Sequence, residues 1–225
     1  ERERKPAWLI IRLSGGEDYA KVNKIVKQHG LHTICSSGMC PNIHECWGNG
    51  TATFMILGDI CTRSCKFCAT TTGKPGTVDP NEPENLANSV KLMQLKHCVI
   101  TSVTRDDLPD EGAAHWAETI RKVKEVNPNT KVEVLIPDFN GSTQLLDIVL
   151  SANADIVAHN LETVERLTPS VRSAAKYHRS LEVIKYISSQ GVLSKSGIML
   201  GLGETREEVL ATMDHLLDAG CQMIT

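Results

Sequence analysis

Apolar positions along this chain follow two alternating rhythms. Short runs rich in β-branched and apolar residues read as strands: "TATFMILG" (51–58), "HCVITSV" (97–103), "KVEVLI" (131–136), "DIVAH" (155–159) and "SGIMLGL" (196–202). Stretches with helical spacing lie between them. "NEPENLANSVKLMQL" opens with Asn81 as N-cap and Pro83 in the first turn, with Glu84 three residues after the cap. Leu86, Val90, Met93 and Leu95 then share a face. In "TREEVLATMDHLLDAG", Thr205 and Glu208 make a capping box. Val209, Leu210, Met213, Leu216 and Leu217 form an apolar stripe, and Gly220 stops the helix. Further helices fit 111–126, 142–152 and 179–190.

Strand alternating with helix, with strands that are nearly all apolar, predicts a parallel sheet of βαβ units. The expected fold is α/β, a partial parallel (β/α) barrel of about six strands, the last just starting in the final "CQMIT". An ending inside a strand is expected of a piece of a longer chain. The first 50 residues differ: one helix over about 18–29, then a loop-rich stretch bearing cysteines. The expected organisation is therefore an N-terminal extension (1–50) carrying one set of metal ligands, followed by the barrel (51–225).

Composition changes this picture little. Hydrophobic content of 41%, charged content of 23% and a net charge of −3 give no reason to expect nucleic-acid or membrane attraction. No apolar run approaches the roughly 18 residues of a membrane span. "ERERKPAWLI" lacks the long apolar stretch of a signal peptide, so the expected compartment is the cytoplasm. There thiols stay reduced, which makes disulfides the minor reading for the eight cysteines. Six of these lie between positions 35 and 68, and such crowding points to metal.

Cys61, Cys65 and Cys68, in "CTRSCKFC", have three and then two residues between them. Thiolates select zinc, copper(I) or iron–sulfur clusters. Structural zinc wants four closed ligands, and no fourth Cys or His follows at finger-like distance. A cubane of four irons held by three thiolates keeps one iron open for a substrate or cofactor. Arg63 and Lys66 beside the sulfurs either favour thiolate or are a solvated pair of charges. Cys35, Cys40 and Cys46, with four and then five residues between them, read as a second metal set, zinc or a disulfide with an odd thiol being the alternatives.

The first motif, with Phe67 before its last cysteine, resembles that of the radical S-adenosylmethionine (SAM) enzymes. That resemblance implies an open iron that binds the amino and carboxylate groups of SAM. It also implies reductive cleavage of SAM to a 5′-deoxyadenosyl radical, which removes hydrogen from an unactivated carbon. A closer resemblance, to the lipoyl synthase family, runs through "LHTICSSGMCPNIHECW", "TATFMILGDICTRSCKFC", "VITSVTRDDLPDEGA", "VEVLIPDF", "HNLETV" and "KSGIMLGLGE". It implies two 4Fe-4S clusters, one on Cys61, Cys65 and Cys68 and an auxiliary one on Cys35, Cys40 and Cys46. The auxiliary cluster would be the sulfur source for carbons 6 and 8 of an octanoyl chain on a lipoyl carrier protein, an E2 subunit or a glycine cleavage H protein, with one SAM spent per insertion. A reductant such as ferredoxin or flavodoxin would supply electrons. The family's fourth auxiliary ligand is a serine in an Arg-Ser-Ser-Tyr segment, which this sequence does not contain. Ser36 and Ser37 do not match it.

Barrel active sites are built at the C-terminal ends of strands. That rule gathers Arg105, Asp106, Asp107, His159, Asn160, Glu162 and Glu204 around one mouth. By resemblance Phe67, Thr101, Ser102, Asn160, Glu162 and Glu204 are the expected contacts to SAM or acyl substrate. Lys195 is expected to snorkel, Met199 and Met213 to pack in the core, and Cys98 and Cys221 to be small buried hydrophobes. "GLGETR" lacks the third glycine of a dinucleotide fingerprint. Two competitors remain at this point: another two-cluster radical SAM enzyme, and a non-catalytic iron–sulfur or zinc protein.

Overall fold

The structure is a computed structural model that describes residues 20, 23, 24, 33–37, 40 and 42–225. The helix expected over 18–29 falls largely outside the described residues; Ala20, Asn23 and Lys24 within it are helical. Two short helices come first, α1 (Ile34–Ser37) and α2 (Ile43–Gly48). Strand β1 (Thr51–Ile56) follows, then two very short strands, β2 (Ile60–Cys61) and β3 (Thr71–Thr72). From there strand and helix alternate: α3 (Glu82–Met93), β4 (His97–Ser102), α4 (Ala113–Val126), β5 (Lys131–Leu135), α5 (Thr143–Leu150) and β6 (Ile156–Ala158). The chain then makes α6 (Thr168–Val171), α7 (Tyr177–Ser189), β7 (Ser194–Ser196), α8 (Arg206–Asp218) and β8 (Met223–Ile224).

Strands β1-β4-β5-β6-β7-β8 form one sheet in that order, every neighbouring pair parallel. This is the βαβ sheet that the alternation of patterns predicts. Because side chains alternate across a strand, each strand offers one row to the helices. Ala52, Phe54 and Ile56 lie beside Cys98 and Ile100, which lie beside Val132 and Val134. All are fully or nearly fully buried, in one cluster with Leu86, Val90, Trp116, Ile120, Val123, Leu146 and Ile187 from the helices. Ile100 sits at its centre. Ile100→Ala is expected to cost about 2–5 kcal/mol, lost contacts plus the cavity left behind, read from the midpoint of urea unfolding.

The described part of the N-terminal extension shares this core. Trp47 and Cys35 are buried in the same cluster, and Thr33 makes an antiparallel bridge to Phe54 on the free edge of β1. An edge strand left bare would expose a row of unpaired backbone groups.

Three expectations need correction. The fifth strand runs over Ser194–Ser196 rather than 196–202. Beyond it only Ile198 pairs, in a single bridge to Glu162. Gly201 then takes φ 100°, a left-handed conformation that an extended run does not allow, and Leu200 is 70% exposed. The capping box of α8 is present as expected, but its apolar stripe is not buried. Leu216 is 2% exposed, whereas Leu210, Met213 and Leu217 are 49%, 42% and 71% exposed. The helix packs on α7, where Leu216 and Ala219 join Tyr177 and Ile184, so only one side of it meets a core. Met213 is therefore not a core residue. Finally, Asn81 occupies the N-cap of α3 without a side-chain cap bond, and its own N–H donates to Asp79 Oδ1.

Candidate functional site

The loop between β1 and α3 carries Cys61, Cys65 and Cys68, and its hydrogen bonds show how it is held. Leu57, at φ 67°, turns the chain off β1. Its N–H donates to Glu82 Oε2 (2.8 Å) and its carbonyl accepts from Arg105 Nη1 (3.2 Å). The small β2–β3 ribbon closes the loop, with Gly73 N–H donating to the Cys61 carbonyl at 3.0 Å. Thr62 Oγ1 donates to Asp106 Oδ2 (2.7 Å) and to Thr104 O (3.0 Å), both beyond the end of β4.

Arg63 is the centre of this anchoring. Its guanidinium meets Asp106 through Nη2 at 2.6 Å and Nε at 2.9 Å, and Asp138 through Nη1 at 2.7 Å. Burial pushes the Asp138 carboxyl up, yet Arg63 beside it brings the pKa below its usual value overall. Arg63 is thus neither a thiolate-activating cation nor a solvated one. Its charge is spent on two carboxylates that bolt the cysteine loop to the ends of β4 and β5.

The sulfurs accept backbone hydrogen bonds. Cys61 Sγ accepts from Arg63 N (3.4 Å) and Thr104 N (3.3 Å), and Cys68 Sγ from Thr70 N (3.5 Å). Burial raises the Cys65 pKa; Arg172 opposes this, and the neighbouring Cys68 and Cys61 add to it. In the second set Cys35 Sγ accepts from Thr53 N at 3.4 Å, which ties it to the edge of β1. Burial also raises the Cys46 pKa, and the Cys35 and Cys40 thiols raise it further. Among the described residues no three His, Cys, Asp or Glu side chains are arranged around a single ion, and all eight cysteines are free thiols. Free thiols, three of them (Cys35, Cys61 and Cys68) accepting N–H···S bonds, are the donor chemistry that iron–sulfur clusters require.

A cavity of about 280 Å³ opens on the sheet face turned away from the helices. Val99, Leu135, Ala158, Ile198 and Met199 give it apolar walls; Asn160, Glu162, Glu133 and Lys195 supply polar groups. Asn160 Nδ2 donates to Glu162 Oε1 at 3.1 Å, and burial raises the Glu162 pKa. Lys195 does not snorkel: its ammonium donates to Glu133 Oε1 at 2.7 Å, and His97 Nε2 lies 3.2 Å from the other oxygen of that carboxylate. Sequence reasoning missed Glu133, whose place in an apolar strand pattern was the available signal.

Of the expected contact residues, the structure brings Asn160 and Glu162 into this cavity. Thr101 gives its hydroxyl to Leu135 O (3.3 Å), while Ser102 Oγ is buried with no partner among the described residues. Phe67 is 37% exposed on the cysteine loop. Glu204 turns back to accept from Leu202 N at 2.8 Å and from Gly201 N. Two residues placed at the mouth by sequence lie elsewhere. Arg105 is buried, pairing with Asp107 and the Gly76 carbonyl. His159 is sealed beneath the sheet, hydrogen-bonded to Ile136 O and Ser180 Oγ at 2.9 Å each. Of the two isolated cysteines, Cys98 is fully buried, and half-buried Cys221 donates to Met223 O at 3.1 Å.

Burial holds the His159 pKa at about 4, below its usual 6.5. Its stabilising effect is therefore complete above pH 6.5 and lost as pH falls toward 4. Thermal midpoints should fall more steeply over that window for wild type than for His159→Gln.

Comparison with known proteins agrees with the fold and the motif. The family model described as the radical SAM superfamily matches residues 55–216. Among solved structures, methylornithine synthase superposes with a TM-score of 0.61 at 15% identity, over 94% of this chain and 64% of that one. Streptococcus suis SuiB bound to the precursor peptide SuiA gives 0.63 at 12%, over 91% and 42%. These likenesses show the fold. Identity to curated sequences is far higher: 60% over all 225 residues to the lipoyl synthase of Bacteroides fragilis, covering 78% of that protein. It is 61% over 222 residues to that of Parabacteroides distasonis, covering 99% of this chain and 79% of that protein. It is 55% over all 225 to the mitochondrial lipoyl synthase of Nematostella vectensis, covering 77% of it. With its cysteine loop at the C-terminal edge of a parallel sheet, and with identity running from end to end, the chain belongs to the lipoyl synthase family of radical SAM enzymes.

Proposed function

We propose that this protein inserts two sulfur atoms, at carbons 6 and 8, into an octanoyl group carried by a lipoyl domain or H protein, using two 4Fe-4S clusters and SAM. Cys61, Cys65 and Cys68 hold the SAM-binding cluster. Cys35, Cys40 and Cys46, within the extension of residues 1–50, hold the auxiliary cluster that donates sulfur. When bound, the clusters and SAM supply the electron, the hydrogen-abstracting radical and the sulfur. The chain positions and encloses. Thr62 and Arg63 hold the cysteine loop against Asp106 and Asp138, while apolar walls beside Asn160 and Glu162 exclude water and suit a hydrocarbon.

The observation that carries this reading is the presence of two separate cysteine trios, one on the loop after β1 with Cys61 held by Thr104 N, the other tied to the edge of β1 through Cys35. A single-cluster enzyme needs only one. The expected setting is the cytoplasm, with ferredoxin or flavodoxin as reductant; no helix of the described residues is long and apolar enough to cross a membrane. The test is turnover of an octanoylated carrier domain by anaerobically reconstituted protein. Lipoyl product and two 5′-deoxyadenosines per lipoyl group are expected. Iron loading and SAM cleavage without sulfur insertion would exclude this substrate, and zinc in place of iron would exclude the chemistry.

A further inference from the structure

Two arginines flank the loop of Cys61, Cys65 and Cys68, and their charges are met differently. Arg63 is neutralised twice, by Asp106 and Asp138. Arg172 is only 9% exposed, and among the described residues it forms no ion pair with any carboxylate. Its Nη1 donates to the Asn160 and Leu161 carbonyls, 3.0 Å each, while Nε–H is buried and finds no acceptor among the described residues. The residue before it contacts the cysteine loop directly: Val171 O accepts from Lys66 N at 3.0 Å.

A desolvated cation without a counter-charge costs several kcal/mol, so its place here calls for an anion. Glu162 accepts from Asn160 Nδ2 at 3.1 Å instead, and among the described residues no hydrogen bond or ion pair joins it to Arg172. The Val171–Lys66 bond sets Arg172 against the stretch of chain between Cys65 and Cys68, and a cubane ligated by three thiolates is an anion there. We propose that Arg172 is the counter-cation of the cluster held by Cys61, Cys65 and Cys68, and that it raises that cluster's reduction potential. The inference rests on the reading that those cysteines hold a cluster. Reduction adds one electron from a low-potential one-electron donor and breaks no bond, leaving the cluster one charge more negative. An adjacent buried cation stabilises that reduced state more than the oxidised one. Arg63 cannot substitute, since its charge is already balanced.

The test is an EPR-monitored reductive titration of the holoprotein without SAM. In Arg172→Gln the equilibrium for reducing this cluster should fall about tenfold, a shift of about 59 mV to more negative potential. The auxiliary cluster should stay unchanged, which a general loosening of the fold would not give. Arg172→Lys keeps the charge and should retain the wild-type potential. If Arg172→Gln does not fold, Arg172→Met, apolar and of similar reach, takes its place. A wild-type potential in the neutral variants, or an equal shift in Arg172→Lys, overturns the inference. A protein in which Cys61, Cys65 and Cys68 bind no cluster overturns the underlying reading instead.

Discussion

Replacing Cys65 with alanine is expected to abolish 5′-deoxyadenosine formation, by far more than the 10–100-fold typical of losing a group that merely supports a metal ligand. Iron should drop from about eight to about four per chain. The reason is positional. Cys65 is the middle thiol of a loop whose ends are fixed, by Cys61 Sγ on the Thr104 amide and by Lys66 N on Val171 O. No other thiol can move into its place without breaking one of these anchors. Cys46→Ala should behave differently: iron also falls by half, but SAM cleavage persists while sulfur insertion stops. Cys98→Ala is the control. Cys98 is fully buried in the main core, and burial alone pushes its thiol far above the usual range. It should lose some stability and no iron. Equal loss of SAM cleavage in the Cys46 and Cys65 variants would show that the two trios do not hold separate clusters.

The second large effect is expected at Arg63. The Arg63 side chain is 9% exposed and that of Asp138 is fully buried, at 2.7 Å. Arg63→Ala leaves Asp138 as a buried charge whose remaining cation, Arg179, stands at 3.6 Å. Breaking such a pair costs about 3–5 kcal/mol. Arg63→Lys should recover only part of this, because a point charge cannot reproduce the forked contact to Asp106. Adding Asp138→Asn to Arg63→Ala should cost much less than the sum of the single changes, since each removes the charge the other strands. The carboxylate sign is also fixed. Asp138 and Asp106 both have lowered pKa values, so their stabilisation is present above the ordinary 3.8 and lost as pH falls below it. Urea unfolding of wild type, Arg63→Ala, Arg63→Lys, Asp138→Asn and the double variant, at neutral and acid pH, measures these quantities. Additive single and double changes would show that Arg63 and Asp138 act independently.

Both effects concern side chains whose roles the sequence discloses unequally. Cysteine spacing is a local signal, because a chelating loop must bring its sulfurs together within a few residues. The strand patterns of 51–58 and 97–103 are similarly direct: both are short apolar, β-branched runs, and in β1 buried Ala52, Phe54 and Ile56 alternate with half-buried Thr51, Thr53 and Met55. "SGIMLGL" has the same composition, yet only its first residue lies in β7. Whether an apolar run pairs depends on a neighbour being there to pair with, and here the chain beyond β6 offers a single bridge at Glu162, whose φ of 65° breaks the extended run.

The sequence by itself determined the α/β alternation, the parallel sheet and the two cysteine trios, because each depends on periodicity or spacing within a short segment. Only the tertiary structure decided which charges matter. It sealed His159 and Arg105 away from the mouth, paired Lys195 with Glu133, neutralised Arg63 and, among the described residues, gave buried Arg172 backbone carbonyls but no carboxylate. The energy of a charge depends on its burial and on partners brought from distant parts of the chain. Neither is written in the order of neighbouring residues.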